Sequence, residues 1–174
     1  VTPSGLHDPN HYSTAYDMAM LAREALKNET FREMCGTQKA KLEFGNPPYE
    51  RWLVNTNKLL YMYDGCIGVK TGFTDEAGRC LVSAAEKNGV TLICVTLNAP
   101  DDWNDHKKMY DYGFSVTESK TIDYDYSDLY VDVAGGDAKC VSVIPDTIPT
   151  YTVVNGNELE ITAETVKSNF VYAP

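Results

Sequence analysis

The dipeptide Asn88-Gly89 constrains the fold of this chain more than any other local feature. It separates two runs rich in apolar and β-branched residues, Arg79–Glu86 and Thr91–Leu97. A two-residue type I′ turn needs positive φ at both central positions, which asparagine and glycine adopt most readily. The sequence therefore predicts an antiparallel hairpin in which Ser83 lies opposite Cys94.

The stretches around this hairpin carry helical and strand patterns. Apolar residues three or four positions apart predict three helices: residues 13–27 with Ser13 as N-cap, residues 30–35 with Gly36 as a left-handed C-terminal residue, and residues 100–112 closed by Gly113. Residues 39–44 and 67–72 are typical of strands, and residues 57–61 of one helical turn. Together these elements predict an α+β fold in which an antiparallel sheet packs against helices.

The last third of the chain differs from the rest in charge and in pattern. Residues 118–174 contain ten acidic and three basic side chains, whereas residues 1–117 contain fifteen and twelve. After residue 118, short β-branched and aromatic runs occur at positions 121–126, 129–133, 139–144, 150–154 and 159–163. We therefore predict a domain boundary near residue 118 and a small all-β domain over 118–174, which is short for an independent core.

Charge and cysteine spacing argue against several classes of function. A formal net charge of −10 repels phosphate, so nucleic-acid binding through a general basic surface is not expected. None of the five cysteines forms a C-x-x-C pair, and Pro9 blocks the helix that would bring His7 and His11 onto one metal ion. The sequence predicts neither a metal site nor a cofactor.

The tripeptide Lys70-Thr71-Gly72 is the sharpest chemical signal, because it lies at the end of a predicted strand. A glycine without a side chain lets a peptide approach the backbone closely. The Thr71 hydroxyl can then bond a substrate carboxylate, and the Lys70 ammonium adds positive potential. An ordinary exposed strand end can carry the same three residues, so the tripeptide alone does not establish a binding site.

The residues around this tripeptide resemble a known enzyme family. K-T-G is the third motif of serine penicillin-binding proteins and class A β-lactamases. The pattern here comprises Thr56-Asn57-Lys58-Leu59-Leu60, Asp64-Gly65, residues 68–74, Ala77-Gly78 and the upstream residues 3–19. It resembles the serine D-alanyl-D-alanine carboxypeptidases, which are low-molecular-mass penicillin-binding proteins of the bacterial cell wall. The resemblance is close over residues 1–117, where it implies the C-terminal half of a penicillin-binding, serine β-lactamase-like domain, and loose beyond them.

That resemblance implies a role for each residue of the motif. Lys70 is expected to be a catalytic residue that holds the nucleophile in an electropositive network. Thr71 would bind the terminal carboxylate of a D-Ala-D-Ala stem peptide or of a β-lactam, and Gly72 would let it approach the strand. The backbone N–H of Phe73 would be one of two oxyanion-hole donors. Such an enzyme needs no metal and works at the outer face of the cytoplasmic membrane, held by a C-terminal anchor that we do not find in this sequence.

The sequence also departs from the family pattern. No serine is followed by lysine three positions later and no S-x-N triplet occurs, so the first two motifs are absent from these 174 residues. We expect a C-terminal fragment without its nucleophile, inactive by itself, whose exposed apolar surface favours self-association. Two alternatives remain open: a class A-type β-lactamase, and a non-catalytic cell-wall binding module of the same fold.

Overall fold

A computed structural model describes residues 3–127, 129–144, 146–157, 159–161 and 170–172. The chain divides into two compact units, residues 1–116 and residues 117–174. In chain order, the first unit contains α1 (Ala15–Ala25), α2 (Glu29–Gly36), β1 (Lys39–Phe44), β2 (Tyr49–Val54), α3 (Leu59–Met62), β3 (Cys66–Thr74), β4 (Gly78–Lys87), β5 (Val90–Thr96) and α4 (Asp102–Val116). Helices with antiparallel sheets confirm the predicted α+β class.

The predicted hairpin is present and forms part of the main sheet. The three strands have the order β3-β4-β5, all antiparallel, and Ser83 lies opposite Cys94. Asn88 and Gly89 have φ values of 51° and 76°, as a type I′ turn requires. The turn chemistry therefore sets the register of the whole β4–β5 pair. Strand β1 pairs only with β2 among the described residues, in a separate antiparallel ribbon.

The main sheet carries buried apolar side chains on both faces, because successive side chains of a strand point to opposite sides. On one side, Leu81 of β4 packs in a buried cluster with Tyr110 of α4. On the other side, Val82 and Ala84 pack with Ala22 of α1. This double burial explains why β4 and β5 are apolar along most of their length and do not alternate.

The first two helices begin at side-chain caps. Thr14, not Ser13 as predicted, caps α1, because its hydroxyl accepts a hydrogen bond from the Asp17 N–H at 3.0 Å. The Asn28 side chain caps α2 in the same way, accepting from the Phe31 N–H at 3.0 Å. Both caps satisfy backbone donors that the first helical turn would otherwise leave unpaired.

Two glycines predicted to terminate helices have a different role. Gly36 is the last residue of α2 but does not adopt positive φ, and α4 continues through Gly113 to Val116. A Cβ added at Gly36 would lie 3.1 Å from the Ile67 carbonyl oxygen, and one at Gly113 would lie 2.6 Å from Leu92 Cδ1. Both glycines therefore allow a helix to approach the sheet closely, and the predicted left-handed end at Gly36 and helix end at Gly113 are wrong.

The second unit contains strands β6 (Thr117–Thr121), β7 (Tyr130–Ala134), β8 (Cys140–Ser142), β9 (Thr150–Val154) and β10 (Phe170–Tyr172). They form a β6-β9 pair and a three-stranded sheet of order β10-β7-β8. The strand predicted over 150–154 is confirmed, and those over 129–133 and 139–144 overlap β7 and β8.

The other two strands predicted for this unit are not found as predicted among the described residues. The strand predicted over 121–126 is wrong beyond Thr121, where β6 ends. Near the end of that range, Asp125 accepts a hydrogen bond from the Ser127 N–H at 2.9 Å and so forms a local turn. Of the prediction over 159–163, residues 159–161 form no strand and the remaining two lie outside the described residues.

Candidate active site

The Lys70-Thr71-Gly72 tripeptide lies on an edge strand. β3 pairs with β4 on one side, with Lys70 opposite Val82 and Gly72 opposite Cys80. Its other side pairs with no strand among the described residues. An open strand edge offers backbone N–H and C=O groups to an extended peptide, so this position suits a substrate that binds as an added strand.

The polar side chains of the motif contact their surroundings at this edge. The Lys70 ammonium is exposed and donates a hydrogen bond to the Thr71 carbonyl oxygen at 2.5 Å. The Thr71 hydroxyl lies 3.1 Å from the hydroxyl of Thr56. The two threonine hydroxyls therefore lie together at this strand edge, where they can donate to an anionic group, and the Lys70 ammonium lies against the backbone of the same strand.

Thr56 is held in place by the asparagines on either side of it. The Asn55 amide nitrogen donates to the carbonyl oxygens of Cys35 and Thr37, at 3.1 and 3.0 Å, and its amide oxygen accepts from the Asn57 N–H. Asn57 is buried and its side-chain oxygen accepts from the N–H that starts α3. An asparagine-rich segment before a helical turn is a recognisable sign of such side-chain-to-backbone bonding, although the sequence alone did not connect Thr56 with Thr71.

A cavity of about 270 Å³ opens beside Thr71. It is lined by residues of β3 and by residues from three other places in the first unit: Thr56, Lys58, Thr71, Gly72, Phe73, Arg79, Cys80, Asp102 and Trp103. All three residues predicted to contact substrate, Thr71, Gly72 and Phe73, are among them. Lys70 instead lines two neighbouring cavities, of about 400 and 710 Å³, together with Thr71.

Arg79 is the cavity residue that sequence reasoning missed. Its Nη2 and Nε donate to one carboxylate oxygen of Asp102, at 2.6 and 3.3 Å, and its guanidinium lies 5.3 Å from the Trp103 ring centroid. Asp102 is only 2 % exposed and also accepts a hydrogen bond from the Trp103 N–H. In the sequence, Asp102 lies near the start of the helix predicted over residues 100–112, where an acidic side chain favours the helix dipole and needs no other role.

A closed polar network lies behind the site, between β4, β5 and α4. The Ser83 hydroxyl lies 2.6 Å from His106 Nδ1 and 2.5 Å from the Tyr110 hydroxyl, and Thr96 Oγ1 lies 3.0 Å from His106 Nε2. Burial lowers the pKa of His106 to about 4 and raises that of Tyr110. Both side chains are therefore neutral near pH 7 and act as buried structural groups.

Neither a metal site nor a membrane span is found in the described parts of the chain. No group of three potential metal-ligating side chains is present there. His7 lies 3.8 Å from the Glu76 carboxylate, which belongs to the turn after β3. None of the helices combines the length and the hydropathy needed to cross a bilayer.

Comparison with known proteins identifies the fold around this edge. Residues 1–101 match the D-alanyl-D-alanine carboxypeptidase family, peptidase S11. The chain belongs to this family. D-alanyl-D-alanine carboxypeptidase DacF of Bacillus subtilis is 43 % identical over 123 residues, which are 69 % of this chain and 31 % of DacF. The predicted resemblance is thus confirmed.

Solved structures agree with this assignment. The crystal structure of the Streptomyces K15 DD-transpeptidase matches 63 % of this chain and 44 % of its own, at 37 % identity and a TM-score of 0.58. A D-alanyl-D-alanine carboxypeptidase from Mycobacterium tuberculosis matches 66 % of this chain and 46 % of its own, at 32 % identity and a TM-score of 0.59. The chain therefore spans less than half the length of these proteins and shares their fold over the part that matches.

Proposed function

We propose that this chain is the later part of a serine D-Ala-D-Ala carboxypeptidase that removes the terminal D-alanine from peptidoglycan stem peptides. One observation carries the proposal: Lys70-Thr71-Gly72 lies on a strand whose outer edge pairs with no strand among the described residues, and Thr71 lines a cavity there. Residues 1–117 would form the C-terminal half of the penicillin-binding domain, and residues 118–174 a β-rich domain after it.

In this mechanism the substrate lies along the free edge of β3. The Thr71 hydroxyl donates to the terminal carboxylate, Gly72 leaves room for the peptide backbone, and the Phe73 N–H donates to the carbonyl oxygen under attack. Charge develops on that oxygen in the tetrahedral intermediate, so each donor there is worth on the order of 3 kcal/mol. Lys70 adds positive potential next to the nucleophile.

The covalent step needs a serine and a base that these 174 residues do not supply, since S-x-x-K and S-x-N are absent. The serine oxygen bonds to the carbonyl carbon of the penultimate D-alanine, its proton passes to the departing amine, and the C–N bond breaks. Water then hydrolyses the acyl-serine ester. A β-lactam would acylate the same serine through its ring amide.

The relatives named above favour this activity over the two alternatives from the sequence. They are named as carboxypeptidases or a DD-transpeptidase, and a D-alanyl-D-alanine endopeptidase of Escherichia coli is 34 % identical over 100 residues. Such relatives support an extracytoplasmic place in the cell envelope, with contact to the membrane surface through an anchor outside this sequence.

A fluorescent penicillin tests the proposal. The full-length protein should be labelled covalently, whereas the isolated 174-residue chain should not, because it has no nucleophile. Thr71→Val in the full-length protein should slow labelling at least tenfold, since a carboxylate-binding hydroxyl is lost. Thr91→Val, an exposed threonine bonded to Glu86, serves as the matched control. Labelling of the isolated chain, or an unlabelled full-length protein, would contradict the proposal.

A further inference from the structure

Two cavities adjoin at β3. The cavity of about 270 Å³ and the neighbouring one of about 400 Å³ are both lined by residues 71–73. The larger cavity also extends past the end of β3 to Ala77, in the turn before β4, and to Tyr12, in the segment before α1. A peptide bound along β3 therefore has space on its far side, between this turn and this segment.

The proposed mechanism gives the direction in which the substrate runs. The terminal carboxylate is at Thr71, and the carbonyl group of the penultimate residue is at the Phe73 N–H. The peptide is therefore antiparallel to β3, and its acyl side continues towards Thr74, the last residue of the strand. The residue before the D-Ala-D-Ala pair lies about 3.4 Å further on. Its side chain thus reaches the end of the larger cavity that Ala77 and Tyr12 line.

The segment that carries Tyr12 is attached to the turn after β3. His7 Nδ1 lies 3.8 Å from a carboxylate oxygen of Glu76, which belongs to that turn. Within the segment, the His11 N–H donates to the Asp8 carbonyl oxygen at 2.8 Å and closes a local turn. The wall that faces the acyl side of the substrate is thus formed before binding, so that little conformational entropy is lost when a ligand contacts it.

This end of the cavity combines aromatic rings with a carboxylate. Tyr12 and Phe73 both line it and are 86 % and 68 % exposed, so they offer apolar surface to an aliphatic chain. Glu76 directly precedes Ala77 and its side chain is 55 % exposed, which leaves its carboxylate open to a second cation. The Lys70 ammonium lines the same cavity further back along β3 and repels a cation there.

We propose that Tyr12, Phe73 and Glu76 form a subsite for the residue before the D-Ala-D-Ala pair, and that this subsite favours a side chain ending in a primary amine. The methylene groups of that side chain pack on the two rings, and its ammonium pairs with Glu76. This inference rests on the proposed function and deepens it by naming a substrate class. Stem peptides with a free amine are preferred over those in which an amide bond has consumed it.

The first test compares two acyl-X-D-Ala-D-Ala peptides in the full-length protein, with L-lysine or Nε-acetyl-L-lysine as X. We expect kcat/KM to be about three- to fivefold higher for lysine, the range of a partly exposed ion pair. Glu76→Gln should abolish this preference while changing kcat/KM for acetyl-lysine less than about twofold. Glu43→Gln, which removes an exposed carboxylate on β1, should leave the preference intact.

A second variant tests the aromatic part of the subsite. Tyr12→Ala should lower kcat/KM about fivefold for both lysine peptides, because the methylene groups lose apolar contact. With L-alanine as X the loss should be less than about twofold, since that side chain does not reach Tyr12. Tyr16→Ala, also exposed but outside the cavity lining, is the matched control. Thermal unfolding of each variant shows whether the fold is retained.

The outcomes separate this inference from the proposed function. Equal turnover of the lysine and acetyl-lysine peptides by a wild-type protein that penicillin labels would overturn the subsite and leave the proposed function intact. A lysine preference that survives in Glu76→Gln, or a Tyr12→Ala loss that is equal for all three peptides, would also overturn it. Absence of both turnover and penicillin labelling would refute the proposed function and the subsite with it.

Discussion

The two faces of the β3–β5 sheet differ in how completely this chain covers them. On the α4 face, Leu81 and Tyr110 are almost fully buried, and the polar groups of Ser83 and His106 bond to one another. On the other face, an apolar groove of about 710 Å³ lies along α1 and α2, where Leu21 is 61 % exposed. One face is therefore fully covered within this chain, whereas the other presents apolar surface that further polypeptide can cover.

The largest expected effect is on the free energy of unfolding, and it tests whether the α4 face of the sheet is fully packed. Tyr110→Ala should lower the free energy of unfolding by about 3–5 kcal/mol, because it leaves a cavity and removes a hydroxyl bonded to Ser83. Urea denaturation of the chain measures this. Tyr112→Ala, on the same helix but 68 % exposed, should change stability by less than about 0.5 kcal/mol. Equal effects from both variants would mean that this face is not closed.

The second prediction is that stability depends on pH through His106, which lies on the same face of the sheet. The pKa of folded His106 is lowered to about 4 by burial, with Asp102 and Asp105 opposing part of the shift. An unfolded histidine titrates near pH 6.5. Between these values the unfolded chain binds more protons than the folded chain, so stability is full above pH 6.5 and falls as the pH drops towards 4.

The loss should reach at most about 1.4 kcal/mol per pH unit. Urea denaturation at several pH values between 4.5 and 7 measures this slope, in a range where most carboxylates remain ionised. His106→Asn, which cannot titrate there, should flatten the curve. An unchanged slope in that variant would exclude His106 as the titrating group.

The third prediction concerns self-association of the chain through the open face of the sheet. It has the smallest expected effect on stability. We expect the isolated chain to self-associate at micromolar concentration through the apolar groove. Leu21→Lys combined with Met34→Lys should weaken that association at least tenfold, while the free energy of unfolding changes by less than about 0.5 kcal/mol, because both side chains are exposed.

Sedimentation velocity measures this association. Leu6→Lys, exposed but outside the groove, should leave it intact. A monomeric wild-type chain under these conditions would show that the groove does not drive association.

Much of the fold could be predicted because the signals are local. The φ preferences of Asn88 and Gly89 set the hairpin, and the apolar runs on either side of them indicated its two strands. The roles of Gly36 and Gly113 could not be predicted, since a glycine that ends a helix and one that allows close packing look alike in sequence. Only the neighbouring strand distinguishes the two.

The sequence by itself determined the hairpin, the α+β class and the tripeptide that marks the candidate site. Each depends on residues adjacent in the chain, whose turn and strand preferences act over a few positions. Only the tertiary structure decided that Thr56 contacts Thr71 and that Asp102 pairs with Arg79. Those partners lie 15 and 23 positions apart, so their meeting depends on strand register and helix docking. A buried carboxylate is stable only where that docking supplies its cation.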